Sequence, residues 1–170
     1  AWVDETTPVN PQTERSQHRV DAESAFLNSQ IPSHIFRLPG IYGPGRSTFD
    51  RLRAGTAKPI DNPGHVFSRI HVEDVVRTLW ASMQQPNPKA IYNVADDEPT
   101  EPSHLIIETA HLLGVTLPES IPLDRANLSP MSTSFWSECR RVTNQKIKDE
   151  LGVILKYPTY REGLKAILQA

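Results

Sequence analysis

A single cysteine, Cys139, stands among the 170 residues. No disulfide can form within the chain, and no cysteine-rich metal site can be built. A lone thiol fits a reducing compartment, so a cytoplasmic location is the expectation. Basic clusters are equally scarce. Arg140-Arg141 is the longest basic run and the net charge is −2. That removes the electrostatic case for nucleic acid or an anionic membrane surface as partner. No apolar run nears the ~20 residues of a membrane span. The first residues, Ala1-Trp2-Val3-Asp4-Glu5, are acidic and lack the apolar core of a signal peptide. The chain also does not begin with Met, which fits processing or a piece of something longer. Internal repeats and low-complexity tracts are absent. The hydrophobic share, 38%, is low for a compact domain but above the disordered range.

Proline is what the chain has in abundance. Fifteen prolines announce many turns and short elements. Residues 1–14 read as loop. A helix is expected from near Thr13, with Ala22, Ala25 and Phe26 on one face and Val20 and Leu27 a heptad apart. The β-branched and aromatic residues of Ser33-His34-Ile35-Phe36 then predict a short strand. Ser47 is placed to cap a helix over Thr48–Ala54, closed by Gly55. Asp61-Asn62-Pro63-Gly64 reads as a turn, and His65–Ile70 alternates like a strand. Val72, Val75, Val76, Leu79 and Met83 fall at helical spacing and predict one apolar stripe, with Glu73 and Asp74 favourably placed in the first turn. Asp74 is expected to cap the helix or orient a loop. Ala90–Ala95 is a third strand, followed by the polar turn Asp96-Asp97-Glu98-Pro99.

Thr100 is expected to cap a helix through Ile106, Ala110 and Leu113, ending at Gly114. Residues 115–135 read as loop with one turn of helix. Asn144 is placed to cap a helix closed by Gly152. Thr159 and Glu162 form a capping-box pattern for a last helix. Alternating helix and strand predicts α/β architecture. Three strands are few against the usual ~5–6 in a sheet, so the expectation is an incomplete sheet.

The stretch Arg37-Leu-Pro-Gly-Ile-Tyr-Gly-Pro-Gly-Arg46 organises the rest. Pro39 has no N–H for a central ladder, so the strand is expected to break there. Gly40 permits close backbone approach to a ligand. In open α/β sheets, ligands sit beyond the carboxyl ends of strands. The stretch reads either as one wall of a site or as an ordinary Pro/Gly turn.

Three segments combine in order and spacing: Arg37–Gly45, Arg69-Ile-His-Val-Glu-Asp-Val75 and Ile91-Tyr-Asn-Val-Ala-Asp-Asp-Glu-Pro99. A fourth follows in Val142–Gly152 with Tyr157–Leu164. Together they resemble the extended short-chain dehydrogenase/reductase superfamily, the NAD-dependent epimerase/dehydratase family, over essentially the whole chain. The resemblance implies late strands and helices of a Rossmann-type parallel sheet plus the small C-terminal substrate-binding lobe. It implies NAD or NADP as cofactor and a small-molecule substrate, an anionic one being among the options, in the full-length parent. That family's Gly-rich phosphate loop has no counterpart here: the glycines stand at 40, 43, 45, 55, 64, 114, 152 and 163. Residues 1–170 are therefore expected to be one partial domain, with the first half of the Rossmann domain absent. Self-association of such a chain is expected.

The family's catalytic Tyr-x-x-x-Lys pair, aligned on Ala22-Glu23, falls on Arg15 and Arg19. The resemblance is thus to atypical members. Arg15 and Arg19 are the candidate catalytic positions, with Arg19 also a cofactor contact, or else both belong to a solvated basic face with Glu23. Pro39, Gly40 and Ile41 resemble the segment beside the nicotinamide ring. Tyr42, Arg46, Arg69 and His71 are the substrate-binding candidates, because a guanidinium fork suits an anionic group. Each has a plainer alternative in packing, a surface ion pair or a structural hydrogen bond. No metal is expected, and Cys139 reads as inert. Three functions remain open at this level: an NAD(P)-binding oxidoreductase-like protein, a nucleotide-sugar epimerase or dehydratase with displaced acid/base residues, and a non-catalytic binding module.

Overall fold

The computed structural model describes residues 1–169. In chain order its elements are β1 (Trp2–Val3), α1 (Glu14–Asn28), β2 (Ile35–Arg37), β3 (Gly40–Tyr42), α2 (Thr48–Arg53), β4 (Ile60–Asp61), β5 (Arg69–His71), α3 (Val72–Gln84), β6 (Ile91–Asn93), α4 (Pro102–Leu113), β7 (Ile121–Pro122), α5 (Pro130–Trp136), β8 (Arg141–Val142), α6 (Gln145–Leu151) and α7 (Tyr160–Gln169). The architecture is α/β, and its four ladders are all parallel. The ladders are β1–β8, β2–β6, β3–β5 and β4–β7.

Local chemistry accounts for most element ends. Thr13 caps α1 by accepting from the Ser16 N–H (3.1 Å). Ser47 and Asp50 close a capping box on α2. Thr159 and Glu162 do the same for α7. Gly114 and Gly152 end α4 and α6 at φ of 66° and 62°, the left-handed region glycine enters freely.

Several expectations are corrected. The strand does break at Pro39, as expected, but Gly40–Tyr42 then forms a further strand in a separate ladder, against β5 instead of β6. Four further two-residue strands occur, and one of them, β7, lies with α5 in the segment expected to be loop. Such strands are too short to show alternation. Glu101, not Thr100, is the N-cap of α4. Thr100 instead exchanges backbone hydrogen bonds with Phe67 (3.0 and 3.1 Å). Asn144 does precede α6, but its amide donates to the Ala95 carbonyl and the Asp97 carboxylate rather than capping.

Two apolar cores hold the layers together. One gathers Ile70, Tyr92, Val94, Ile147, Leu151, Val153 and Leu155 between the strands and α6, with Phe36, Ile41, Val75 and Ala81 at its rim. The other is Tyr42, Phe49, Tyr160 and Leu164, with Leu105, Leu112, Leu113 and Ile167 packed on it from α4 and α7. The β3–β5 ladder separates them. Its register pairs Gly40 with Arg69, Ile41 with Ile70 and Tyr42 with His71. Side chains alternate across a strand. Ile41 and Ile70 therefore serve the first core, while Tyr42, Arg69 and His71 turn toward α7.

The α3 helix is oriented against its pattern. Its buried face is Asp74, Thr78 and Ser82. Of the apolar stripe only Val75 turns inward. Val72, Val76, Leu79, Trp80 and Met83 are 42–65% exposed. The α1 helix buries no residue at all. It is tied to β2 by a bidentate ion pair in which Arg37 donates to Glu23 (2.5 and 3.1 Å). Among the described residues, β2 pairs on one edge only, with β6.

Candidate functional site

The candidate residues divide into an exposed group and a buried group. Arg15 and Arg19 lie on the open face of α1. With Glu14, His18 and Ala22 they form an open patch on that one helix. Phe135 of α5 flanks it, with its ring centroid 5.9 Å from the Arg15 guanidinium carbon. Pro39 and Ile41 are half-buried and Gly40 is exposed. A Cβ at Gly40 would meet only the Ser68 carbonyl, at 3.8 Å. The backbone there is uncrowded on its outer side. Arg46 is exposed, and its backbone exchanges hydrogen bonds with Gly43 (3.0 and 3.2 Å).

Tyr42, Arg69 and His71 form the buried group. Tyr42 and His71 meet edge to face, ring centroids 5.2 Å apart. His71 caps α3: its Nδ1 accepts from the Glu73 N–H (3.2 Å), so Nε2 carries the proton in the neutral ring. Burial holds its pKa below the ordinary histidine value, against the pull of Asp74 and Glu73. The Arg69 guanidinium lies under α7, with its carbon 5.6 Å from the Tyr160 ring centroid and Nη2 donating to the Thr100 carbonyl (3.4 Å). Tyr42 fits under α7 because residue 163 is glycine. Burial, then the nearby Asp96, pushes the Tyr42 hydroxyl well above its ordinary pKa.

Asp74 orients a loop. It is fully buried, and its two carboxylate oxygens accept from the N–H groups of Lys156 (2.7 Å) and Tyr157 (3.0 Å). That fastens the segment leading into α7. Sequence reasoning missed Asp96, which is 1% exposed. Three acidic residues before a proline signal a solvated turn, and nothing in their order marks the first as interior. Burial lifts its pKa from 3.8 to about 7, against the pull of Arg69. Glu5 also had no signal; its carboxylate accepts from the Asn93 N–H of β6 (2.7 Å).

The fit to a nicotinamide dinucleotide is partial. The bare backbone at Gly40, just beyond β2, suits one side of a flat ring. Among the described residues no helix follows glycines at the Gly-x-x-Gly-x-x-Gly spacing; α2, which does follow Gly40, Gly43 and Gly45, is a short helix whose N-terminus is closed by the Ser47–Asp50 capping box, so it does not supply the backbone N–H cradle a pyrophosphate needs. Among the described residues no three His, Cys, Asp or Glu side chains converge for a metal. No described helix is long and apolar enough to cross a membrane.

No family model matches the chain. It is 30% identical over 159 residues to Protein YeeZ of Escherichia coli K12, covering 92% of this chain and 53% of that protein. Among solved structures, a functionally unknown conserved protein from Silicibacter pomeroyi superposes with a TM-score of 0.95 at 52% identity, over 99% of this chain and 60% of the other. Human epimerase family protein SDR39U1 with NADPH gives 0.81 at 18% identity, over 99% of this chain and 60% of that one. The dTDP-glucose 4,6-dehydratase of Bacillus anthracis in complex with NAD gives 0.78 at 19%, over 99% and 55%. The chain thus spans about half the length of the curated relative it matches. Its fold is the Rossmann-like α/β arrangement that these epimerase and dehydratase structures share.

Proposed function

We propose that residues 1–170 form the C-terminal part of an atypical NAD(P)-binding protein of the extended short-chain dehydrogenase/reductase type. In this reading they supply the late strands and the substrate lobe, and the phosphate-binding half belongs to the rest of the full-length parent. The observation that carries the reading is the likeness, over 99% of the chain, to structures solved with NADPH or NAD. The molecule's open flank supports it. The unpaired edge of β2, the bare α1 and the outward apolar stripe of α3 are what the partners of a longer parallel sheet would cover.

The parent holds a dinucleotide with its nicotinamide end near Pro39, Gly40 and Ile41. Arg19 meets ribose or phosphate, and the substrate is a small, anionic molecule. The cofactor supplies hydride chemistry when bound. What this chain lacks is the usual proton donor. A group serving that role must exchange its proton near neutral pH. Arginine as a residue type holds its proton throughout the range proteins experience. With Arg15 and Arg19 in place of Tyr and Lys, binding survives and turnover through this pair does not.

Titration with NADH and NADPH, followed by fluorescence or calorimetry, separates the parts of this reading. The isolated chain is expected to bind neither at micromolar concentration, and the full-length parent is expected to bind one. Micromolar binding by residues 1–170 would overturn the half-domain assignment. A panel of alcohols, carbonyls and nucleotide sugars tests the rest. Robust turnover by the parent that disappears in Arg15→Ala would identify instead an epimerase or dehydratase with displaced catalytic residues.

A further inference from the structure

The outer face of the β3–β5 ladder is a buried polar layer. Tyr42 and His71 oppose each other in register, and Arg69 stands two residues before His71 on the same face, opposite the side-chain-free Gly40. Asp96 joins the layer through its backbone N–H, which donates to the Arg69 carbonyl (2.7 Å). The four residues are 8%, 3%, 7% and 1% exposed in the order just given. Among the described residues each keeps one polar atom without a hydrogen-bond partner: Tyr42 Oη, His71 Nε2, Arg69 Nη1 and Asp96 Oδ2. Such groups are rare inside native folds and costly.

The cover over this layer is α7 and the loop before it. The Tyr160 ring lies over Arg69. Gly163 admits the Tyr42 hydroxyl. The Tyr157 ring lies 4.2 Å from that of His71, centroid to centroid. The Pro158 carbonyl accepts from the Asp97 N–H (2.8 Å). Arg161 pairs with Glu98 at the rim. One movement of α7 away from the sheet would release all of these together and admit water to Arg69 and Asp96.

We propose that this layer is a proton-dependent latch, closed while Asp96 carries its proton and loosened when the carboxylate ionises. A neutral carboxylic acid with one unmet oxygen is tolerable in an interior, and an ionised one is far more costly. Asp96 Oδ1 accepts a single hydrogen bond, from the Glu98 N–H (3.2 Å). Its surroundings do not rescue the charge. Arg69 of β5 attracts it without a direct hydrogen bond. Tyr42 of β3 and Tyr160 of α7 are neutral. On its own loop Asp97 is taken up by Lys148 of α6 and Asn144, and Glu98 by Arg161 of α7. By His71, Glu73 of α3 is paired with Lys156 and Asp74 is held by two backbone N–H groups, so neither side brings Asp96 a free positive charge. The folded carboxyl titrates near 7, well above an exposed aspartate. Between those values the closed state holds a proton that the open state does not, so closure weakens as pH rises.

Hydrogen–deuterium exchange of residues 157–169 at pH 6 and pH 8, corrected for intrinsic rates, tests this on the whole chain. Between pH 6 and pH 8 opening is expected to rise about tenfold more in the wild-type chain than in Asp96→Asn, where His71, kept neutral by burial and able to take a proton once exposed, makes opening fall as pH rises. Carbon NMR of aspartate-labelled wild-type chain adds a readout independent of that variant. One aspartate is expected to titrate near 7. An equal pH response in the wild-type chain and Asp96→Asn, or the absence of any such aspartate, would each overturn the latch.

Discussion

Gly163→Ala is the sharpest test of how α7 is seated. In an exposed helix, alanine for glycine would stabilise by about 1 kcal/mol. Here the new methyl would lie 2.8 Å from both Cε2 and Cζ of Tyr42, and nearer still to Oη. The ring cannot swing aside easily, because His71 meets it edge to face and Phe49 and Leu164 pack in the same core. Either α7 shifts or Tyr42 leaves its rotamer. Overpacking of this kind costs about 1–3 kcal/mol. With two ring carbons and the hydroxyl oxygen inside ordinary contact, the upper part of that range applies. After subtracting the propensity gain, the expected net loss is about 1–2 kcal/mol, or roughly 2–8 °C in Tm for a chain of this size. Urea unfolding followed by far-UV circular dichroism measures it. The same substitution in a Tyr42→Leu background supplies the cycle. Leucine lacks all three atoms the methyl meets, so Gly163→Ala should there cost little or stabilise. A Gly163→Ala that stabilises the wild-type chain, or costs the same in both backgrounds, would refute the packing argument.

Two further outcomes are expected. Asp74→Ala strips the Lys156 and Tyr157 N–H groups of their acceptor in a buried setting, so a loss of about 2–4 kcal/mol is expected in chemical denaturation. The outward stripe of α3 should drive concentration-dependent self-association of residues 1–170. Light scattering should show Trp80→Glu with Met83→Glu shifting the chain toward monomer; association unchanged by that pair would place the contact elsewhere.

The helices were largely legible because their signals are local. Capping at Thr13, Ser47 and Thr159, the glycine stops at 114 and 152, and the 3.6-residue spacing of α3 depend on neighbours a few residues away. The candidate stretch was legible in the same way, since proline and glycine dictate backbone at their own positions. The eight strands were less so. Pairs such as Trp2–Val3 with Arg141–Val142 join segments far apart in the chain, and two residues hold no period to read.

Periodicity determined that residues 72–84 are helical and amphipathic, but not which face turns inward. That was decided by Asp74, whose two backbone donors arrive from Lys156 and Tyr157, more than eighty residues downstream. The motif Arg69-Ile-His71 likewise determined a strand with one apolar side. Only the seating of α7 on Tyr42, Arg69 and His71 made its polar side interior as well. The same packing moved Asp96 from an apparent surface turn to a buried acid. Burial is a property of what covers a residue, and in this fold the cover comes from the far end of the chain.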